Sequence, residues 1–546
     1  MNLSIKYFVN DELNQLEGDL DRNLSFQDSN LGVFCDFNQD YLKVKVYPNC
    51  EIKIEEIKVN YPCSFNDDNY IFFNGYSDWT YSYESGLSTI NYGINKIPFK
   101  KAILNKYHFD RYGDYNFAEY PCKSGYNHGW TYLYIRNNDD YKFYGSLNED
   151  FAFTRFVFDK NYGLSFIPDL NGYTTSDSFT AINICLLNGK EDEVFDKYFE
   201  LLNIDKPTCD PLRGYTSWYN HYQNINENII LSDLDGLDYL DDDANMFQID
   251  DGYETYVGDW LEVDSNKFPN GLKPIVESIH EKGYKAGLWL APFSGENKSK
   301  LFNEHKDWFV KDESGDPYYC GSNWSGFYGL DIYKVEVRQY LKKVFDTIFN
   351  DWGFDLVKLD FLYSCCVYSR NDKPRGQVMA DGMRFLRELC KDKLILGCGV
   401  PCASAFGRVD YCRVGPDVSL DYDDKFYMHF MHNERNSTWH TMLTSIFRRQ
   451  LDNRAFLNDP DVFILRDDNT KLTDEQKKQL AFVNGLFGSV LFTSDDFSKY
   501  NDEQKELYKK VINLKGKCVS VDILDNKVKI IYKYNDVLEE LYIDIA

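Results

Sequence analysis

The sequence predicts a multidomain α/β protein with three parts: an N-terminal β-sandwich (residues 1–207), a central (β/α)8 TIM barrel (208–496) and a small C-terminal antiparallel β-domain (497–546). Three observations support this. The first part contains short alternating strand patterns, the middle part alternates apolar strands with amphipathic helices, and the last part returns to alternating strands. A chain of 546 residues is also long enough for about two to four domains.

The composition limits the classes of partner. Lys and Arg number 60 against 87 Asp and Glu, a net charge of -27, which argues against nucleic acid and anionic membranes because both bind basic surfaces. No uninterrupted apolar run approaches the roughly 18 residues that span a bilayer, and the N-terminus lacks a basic segment followed by an apolar one. The 14 cysteines include no CxxC pair, which favours reduced thiols. We therefore expect a soluble cytoplasmic protein without nucleic-acid or membrane partners.

The N-terminal part is predicted to be all β. Stretches such as YLKVKVY, CEIKIEEIKVNY, GWTYLYIR and FAFTRFVF alternate polar with apolar residues and are rich in aromatic and β-branched side chains. Asn, Asp and Gly turns separate these stretches. Short strands of this kind, joined by tight turns, are typical of a sandwich of antiparallel sheets.

The character of the sequence changes after DKPTCDPLRG. Eight strand-like segments follow: GYTSWYNHY, NMFQIDDG, YKAGLWLAP, LVKLDFLY, LILGCGV, YCRVGPD, AFLNDP and SVLFTSDD. Amphipathic segments such as LKPIVESIHEKG and VRQYLKKVFDTIFNDWG lie between them, and this alternation predicts a (β/α)8 barrel. The helix DEQKELYKKVINL and the strands CVSVDIL, KVKIIYKY and LEELYIDI then predict the closing β-domain.

Charged residues stand at the ends of apolar strands in the predicted barrel. In LVKLDFLYS, Lys358 and Asp360 are two residues apart, so on a strand both would point to the same face. Because the chemistry of such barrels lies at the carboxyl ends of the strands, we expect a bowl there formed by Asp250, Asp251, Trp289, Lys358, Asp360, Cys398, Arg413 and Asp417. Carboxylates accept hydrogen bonds from hydroxyls and indole faces stack on sugar rings, so this set suits a neutral sugar.

Several motifs resemble glycoside hydrolase family 36, the α-galactosidases or melibiases, and in particular its compact members. They are IDDGYETYVGDW, GYKAGLWLAPF, VKLDFLY, ILGCGVP, YCRVGPDVS and RRQLDNRAFLNDPDVFILR, and they follow the family's order between about Arg213 and Asp496. A shorter motif, NGYSDW at residues 74–79, resembles part of the family's N-terminal domain. The resemblance implies an exo-acting, retaining hydrolase of terminal α-galactosides that works by double displacement without a cofactor.

The resemblance also implies a role for each candidate residue. Asp360 would be the nucleophile and Asp417 the acid/base. The remaining candidates would bind substrate: Asp250 and Asp251 at the galactose O4 and O6, Lys358 and Arg413 at other hydroxyls, Trp218, Trp289 and Trp79 as aromatic walls, and Cys398 in the GCG motif. We further expect Lys358 to keep Asp360 ionised and to fix its rotamer. The acidic pair at 250 and 251 can reach one ligand only if Gly252 breaks the strand.

Two departures from the family pattern leave alternatives open. Tyr253 stands where many members have Trp, and PCASAFG follows the fifth strand where others carry different small residues near the sugar O2. An α-N-acetylgalactosaminidase with room near residues 401–406 and a galactosyl transferase are therefore alternatives. Rivals of another class are a carbohydrate-binding protein without catalysis and an aldolase-type barrel with Lys358 as Schiff base. The natural glycan and the oligomeric state stay open.

Purely structural interpretations compete with the functional ones. The charges at 358 and 360 could form an ion pair, the acidic pair could be a turn, and the tryptophans could belong to the core. His429, His432 and His440 suggest a metal site, but YMHFMHNERNSTWH has no carboxylate or thiolate at ligand spacing. We expect no metal.

Overall fold

The computed structural model describes residues 1–21, 24–240, 244–423, 425–524 and 526–545. Its first part consists of two antiparallel sheets, with the orders β2-β1-β6-β13-β12-β9 and β3-β4-β5-β15-β11-β10-β7-β8, and β14 pairs with β6. The strands are β1 (Asn2–Val9), β2 (Glu12–Asp19), β3 (Ser25–Gln27), β4 (Leu31–Phe37), β5 (Tyr41–Pro48), β6 (Ile52–Tyr61), β7 (Tyr70–Phe73), β8 (Glu84–Gly86), β9 (Tyr126–Trp130), β10 (Tyr132–Asn137), β11 (Asp140–Ser146), β12 (Thr154–Asp159), β13 (Gly163–Pro168), β14 (Thr174–Thr175) and β15 (Phe179–Gly189).

The two sheets face each other across an apolar core. In β1 the alternate residues Leu3, Ile5 and Tyr7 are buried, and in β5 the same holds for Leu42 and Val44. These side chains come from different sheets and pack in one cluster. The period-two pattern of the sequence therefore turns one face of each sheet inward, and the predicted sandwich is confirmed.

The middle part forms a nearly closed barrel of eight parallel strands in the order β25-β24-β23-β22-β18-β17-β16-β26. Each of the eight predicted segments overlaps one of them. The strands of this part are β16 (Leu212–Thr216), β17 (Met246–Ile249), β18 (Lys285–Leu290), β19 (Ser294–Glu296), β20 (Tyr319–Gly321), β21 (Phe327–Gly329), β22 (Leu356–Leu359), β23 (Leu394–Gly397), β24 (Tyr411–Arg413), β25 (Leu457–Asp459) and β26 (Val490–Thr493). Strands β19, β21 and β20 form a small sheet outside the barrel wall.

The barrel closes between its last two strands through the loops beside them. Ser489 N–H donates to Asn458 O at 2.8 Å, and Phe463 N–H donates to Phe492 O at 3.1 Å. These two bonds replace a regular ladder between β25 and β26. All eight carboxyl ends therefore meet at one rim, as the sequence predicts for this fold.

Helices cover the barrel and connect its strands. Their bounds are α1 (Lys100–Tyr107), α2 (Glu191–Leu202), α3 (Trp218–His221), α4 (Glu227–Gly236), α5 (Lys273–Glu281), α6 (Lys300–Glu304), α7 (Val335–Asp346), α8 (Arg375–Cys390), α9 (Thr438–Phe447), α10 (Asp474–Phe487) and α11 (Asp502–Ile512). On α7 the apolar stripe Val337, Leu341, Val344 and Phe345 is buried, which explains its 3.6-residue pattern. Among the described residues, no helix combines the length and apolar character required to cross a membrane.

The chain ends in a three-stranded antiparallel sheet made of β27 (Cys518–Leu524), β28 (Lys527–Tyr534) and β29 (Val537–Asp544). Trp439 on α9 donates its indole N–H to the Asp544 carbonyl at 2.6 Å, which ties this sheet to the barrel. One apolar cluster contains Tyr198 before the barrel, Leu359 within it and Tyr532 after it. Because this apolar core is continuous across the predicted domain boundaries at residues 207 and 496, these boundaries stay a prediction.

Candidate active site

A cavity of about 450 Å³ opens at the carboxyl ends of the barrel strands. Eight of the ten predicted site residues line it: Trp79, Trp218, Asp250, Asp251, Trp289, Lys358, Asp360 and Asp417. Arg413 and Cys398 do not belong to its lining residues, although both are buried close behind them. The cavity therefore brings together carboxylates from three strand ends with a lysine and several indole rings, as the sequence predicts.

Asp360 lies just beyond the end of β22, where the chain turns. Phe361 adopts a left-handed conformation with φ of 51°, and its N–H donates to Asp360 Oδ1 at 2.7 Å. Trp289 donates its indole N–H to Asp360 Oδ2 at 3.0 Å. Burial raises the pKa of Asp360 above its ordinary value; the charge of Lys358 opposes this rise, and the charge of Asp417 adds to it. Two neutral donors thus fix a buried carboxyl group in the floor of the cavity.

Lys358 forms an ion pair with Asp250, whereas the sequence predicted that it would hold Asp360. Its ammonium donates to Asp250 Oδ2 at 2.9 Å, and the hydrogen bonds of Asp360 come from Trp289 and Phe361. The expectation that Lys358 fixes the Asp360 rotamer is therefore wrong. The reason is that β22 ends at Leu359, so the strict alternation of strand side chains does not extend to residue 360. Lys358 acts on Asp360 through its charge alone.

The acidic pair faces the cavity because β17 ends at Ile249, before the pair, and the chain then turns at Gly252. Gly252 has φ of 120°, and a Cβ there would lie 2.8 Å from Gln223 Cα. Asp250 also accepts a bond from Gln248 Nε2 at 2.8 Å. Asp251 accepts bonds from Gln223 Nε2 at 3.0 Å and from the Trp324 indole N–H at 2.8 Å. The two carboxylates consequently face one space with different partners, a cation for the first and neutral donors for the second.

Glu254 lies directly behind this pair. Burial raises the pKa of Glu254 well above its ordinary value, and the charge of Asp251 adds to the rise. Burial likewise raises the pKa of Asp251, while hydrogen bonds from Glu254 and Trp324 oppose the rise. Of these two neighbouring carboxyl groups, Glu254 therefore holds a proton more readily than Asp251, and that proton can form the hydrogen bond between them.

Asp417 stands at the side of the cavity, with its side chain 30% exposed. Arg413 donates to Asp417 Oδ1 at 2.7 Å and to Asp461 Oδ1 at 2.9 Å. The guanidinium is 1% exposed and lies behind Asp417, so the predicted contact of Arg413 with substrate hydroxyls does not occur in this geometry. Its charge also faces Asp459 at 3.5 Å. Arg413 acts on the cavity by orienting the Asp417 carboxylate.

Trp79 reaches the cavity from the N-terminal sandwich. Its indole N–H points at Cys398 Sγ at 3.3 Å, and its ring packs edge-on against Phe361 at 5.0 Å. Cys398 is 1% exposed, so the structure places this candidate behind the tryptophan and away from the substrate space. Tyr253, the departure from the family pattern, is fully buried against Trp352.

Sequence reasoning missed Trp324, Gln223 and Glu254. Trp324 lies in CGSNWSG between β20 and β21, outside the barrel strands, and adopts φ of 54°. The sequence signal that could have identified Trp324 is an aromatic residue flanked by small residues in a loop. Gln223 and Glu254 flank the acidic pair in space, and no local pattern distinguishes them from surface polar residues.

The structure places two of the three histidines that suggested a metal site. His432 lines the cavity, whereas His440 is buried and stacks on Tyr81 with ring centroids 3.7 Å apart. The side chain of His429 lies outside the described residues. In the part of the chain that the structure describes, no group of three His, Cys, Asp or Glu side chains could hold a metal ion.

Parts of the sequence are similar to known proteins. Residues 216–379 match the Melibiase family model. A 129-residue stretch is 33% identical to an A type blood α-D-galactosamine galactosaminidase of Flavonifractor plautii, covering 22% of this chain and 12% of that protein. A 168-residue stretch is 30% identical to α-galactosidase Mel36A of Lactobacillus acidophilus, covering 30% of this chain and 22% of that protein. The chain thus aligns with less than a quarter of the length of these curated relatives.

Solved structures share the fold over almost the whole chain. The α-galactosidase TtGalA of Thermus thermophilus, in complex with p-nitrophenyl α-D-galactopyranoside, superposes with a TM-score of 0.71 over 94% of this chain and 96% of that one, at 23% identity. The family 36 α-galactosidase AgaA of Geobacillus stearothermophilus gives a TM-score of 0.62 over 96% and 73%, at 11% identity. At 23% and 11% sequence identity, these superpositions establish a shared fold. Residues 216–379 are thus similar to a melibiase domain, and the chain as a whole has the fold of solved α-galactosidases, including one of glycoside hydrolase family 36, in agreement with the resemblance of its sequence motifs.

Proposed function

We propose that the protein is a retaining, exo-acting α-galactosidase. The observation that carries this proposal is that Asp360 and Asp417 face one cavity from two strand ends while Asp250 and Asp251 face it from a third. The negative charge of Asp417 acts on the pKa of Asp360, so the two groups lie within electrostatic reach. Glycosidases of this kind place two carboxyl groups on either side of the bond that breaks.

The two carboxyl groups divide the work according to their surroundings. Asp360 is fixed by two neutral N–H donors, which leaves a carboxylate oriented for attack on C1 of the sugar. Asp417 is partly exposed and protonates the leaving oxygen as the glycosyl-enzyme forms. Asp417 then takes a proton from water, whose oxygen attacks C1 and releases the sugar with Asp360 restored.

The floor of the cavity is suited to the terminal galactose. Asp250 and Asp251 accept hydrogen bonds from the O4 and O6 hydroxyls, and Lys358, which uses one of its N–H groups on Asp250, donates to a neighbouring hydroxyl. The indoles of Trp289 and Trp324 supply apolar walls. Solved relatives carry stachyose or raffinose. We propose oligosaccharides with a terminal α-linked galactose as the substrate class.

Three of the four rivals receive less support. Residues 401–406 are buried and are absent from the lining of the cavity in the described chain, so space for an N-acetyl group there lacks support. Burial alone would lower the pKa of Lys358, but the charges of Asp250, Cys398 and Asp360 together raise it above its ordinary value, whereas a Schiff-base lysine needs a lowered pKa. A protein that only binds sugar has no use for both Asp360 and Asp417. A galactosyl transferase would share the first step and differ in the acceptor.

A substrate screen tests the proposal. Aryl α-galactoside should be cleaved much faster than aryl α-N-acetylgalactosaminide or α-glucoside, and Asp360→Ala should abolish the turnover. Preference for the N-acetylated substrate would favour the first rival. Absence of turnover with all three substrates would contradict the proposal, provided that the protein is folded.

We also propose that the protein works in a reducing compartment such as the cytoplasm. All 14 cysteines are free, and several of them, including the adjacent Cys365 and Cys366, are buried. Thiols in this state are typical of the cytosol. Cell fractionation tests the proposal, and recovery of the native protein outside the cell would contradict it.

A further inference from the structure

We propose that Asp78, a residue of the N-terminal sandwich, is a positioning residue that holds the nucleophile Asp360 in place through Gly399 and Phe361. The inference rests on the proposed function, because it concerns how the nucleophile of that reaction is oriented. Asp78 is fully buried and does not line the cavity, so it cannot itself bind the substrate.

Asp78 belongs to a turn that attaches to the loop after β23. Its two carboxylate oxygens accept bonds from the Gly399 N–H at 3.0 Å and the Val400 N–H at 2.8 Å. Its own N–H donates to Val400 O at 3.0 Å. Ser77 forms an isolated β-bridge with Pro401. A single aspartate thus fixes two consecutive peptide groups of a loop in the barrel.

Gly399 transmits this constraint because it has no free space around it. It adopts φ of 58°, and a Cβ there would lie 2.7 Å from Phe361 N and 2.9 Å from Trp79 Cζ2. The Tyr363 N–H also donates to Gly399 O at 2.8 Å. The loop that Asp78 holds is therefore packed directly against the backbone that follows the nucleophile.

Phe361 N is the group that completes the chain of contacts. It donates to Asp360 Oδ1 at 2.7 Å, and it is one of the two donors that orient this carboxylate. A shift of Gly399 would move Phe361 N, because the two backbones are in contact. The charge of Asp360 also helps to raise the pKa of Asp78 to about 8, after the larger effect of burial, which agrees with the closeness of the two groups.

Arg448 holds Asp78 from the other side. It donates to the Asp78 carbonyl at 2.7 Å and to the Ser77 carbonyl at 3.0 Å, and its Nε–H donates to Asn74 Oδ1 at 2.9 Å. The arginine is fully buried just after α9. The turn is thus fixed to the barrel on both sides, which gives Asp78 a rigid base from which to orient the loop.

The test compares Asp78→Asn and Asp78→Ala with the parent protein on an activated aryl α-galactoside. A mechanism-based label first counts the active sites, so that loss of folded protein is separated from loss of rate. We expect kcat per active site to fall about 10- to 100-fold for Asp78→Ala, because small displacements of reacting groups have costs of this size. KM and the Kd for free galactose should change less than about twofold.

Asp78→Asn keeps one carbonyl oxygen as an acceptor and should recover part of the lost rate, and it decides the question if Asp78→Ala does not fold. Asp452→Asn is the matched control: Asp452 accepts a backbone N–H from Asn458 at 2.8 Å and does not line the cavity. The control should keep its kcat. The inference is overturned if kcat per active site is unchanged in both Asp78 variants, or if KM and the galactose Kd rise while kcat stays constant. Failure of the proposed function is a different result, since the parent protein itself would then not cleave the substrate.

Discussion

The ammonium of Lys358 donates to Asp250 at 2.9 Å, and Asp360, two residues further along, takes its hydrogen bonds from two neutral N–H groups. The buried ammonium of Lys358 therefore forms an ion pair with Asp250, which would bind the sugar. Its charge also acts on Asp360, which would attack the sugar. Both effects are open to measurement, because they predict different consequences for pH dependence and for stability.

Replacement of Lys358 by Met should move the acid limb of the kcat/KM profile to higher pH. Attack requires ionised Asp360, so activity is lost as pH falls through the pKa of this group. The charge of Lys358 opposes the rise of that pKa, and its removal lets the pKa rise further. Lys342→Met on the exposed face of α7 is the control and should leave the profile unchanged. An unmoved acid limb in Lys358→Met would show that the charge effect is negligible.

Asp250→Ala should destabilise the fold more than Asp251→Ala. The first variant leaves Lys358 buried without its partner, at a cost of about 3–5 kcal/mol in the free energy of unfolding. The second variant removes only bonds from neutral donors, and we expect about 1–3 kcal/mol. Urea unfolding without substrate measures both values. Equal losses would mean that the ion pair is compensated by other groups.

Asp251→Ala should change the choice of sugar. The axial O4 of galactose can satisfy the acidic pair, whereas the equatorial O4 of glucose leaves one acceptor without a partner. We expect kcat/KM on α-galactoside to fall by about one to two orders of magnitude, with little change on α-glucoside. Trp324→Phe, which removes the indole N–H that binds Asp251, should cause a smaller loss in the same direction. A parallel fall on both sugars would assign the pair a structural role.

The first product should be α-galactose. If Asp360 is a nucleophile, two inversions at C1 restore the original configuration, and the two carboxyl groups lie about 5–5.5 Å apart. Proton NMR during the first minutes of hydrolysis distinguishes the anomers. β-Galactose as the initial product would require Asp360 to act as a base on water.

The two carboxyl groups should respond differently to the leaving group. Asp417→Ala should still form the glycosyl-enzyme from a substrate with an activated phenolate, which departs without protonation, whereas Asp360→Ala should fail with every substrate. Azide should give α-galactosyl azide with Asp417→Ala and β-galactosyl azide with Asp360→Ala. Identical losses on activated and unactivated substrates would reject these roles.

The barrel was predictable because its strands are apolar runs with charged residues only at their ends. Asp250, Asp360 and Asp417 could be identified in this way, each following a strand at the same rim. Position along a strand does not, however, specify which charged groups pair. The bond between Lys358 and Asp250 crosses from β22 to the end of β17, two strands away in the sheet, and no sequence spacing encodes it.

Site residues that lie outside the barrel strands, or whose contacts come from other parts of the chain, were harder to predict from the sequence. Trp324 lies beside a small sheet that projects after β18, so the rule that chemistry follows barrel strands does not reach it. Arg413 was correctly placed at the end of β24, but its burial behind Asp417 depends on Asp459 and Asp461, which follow the next strand. Asp78 lies in the NGYSDW motif, where the sequence singled out only Trp79, and the packing of the sandwich on the barrel reveals its contacts.

The position of Trp79 has a consequence for how such proteins can diversify. One wall of the cavity is supplied by a chain segment more than a hundred residues before the first barrel strand. The barrel therefore cannot be transplanted onto another N-terminal partner without rebuilding that wall and the turn beside it. Substitutions in the sandwich can alter what the barrel accepts, so the two are expected to be inherited together and to change in concert, even though each has the outward form of an independent module.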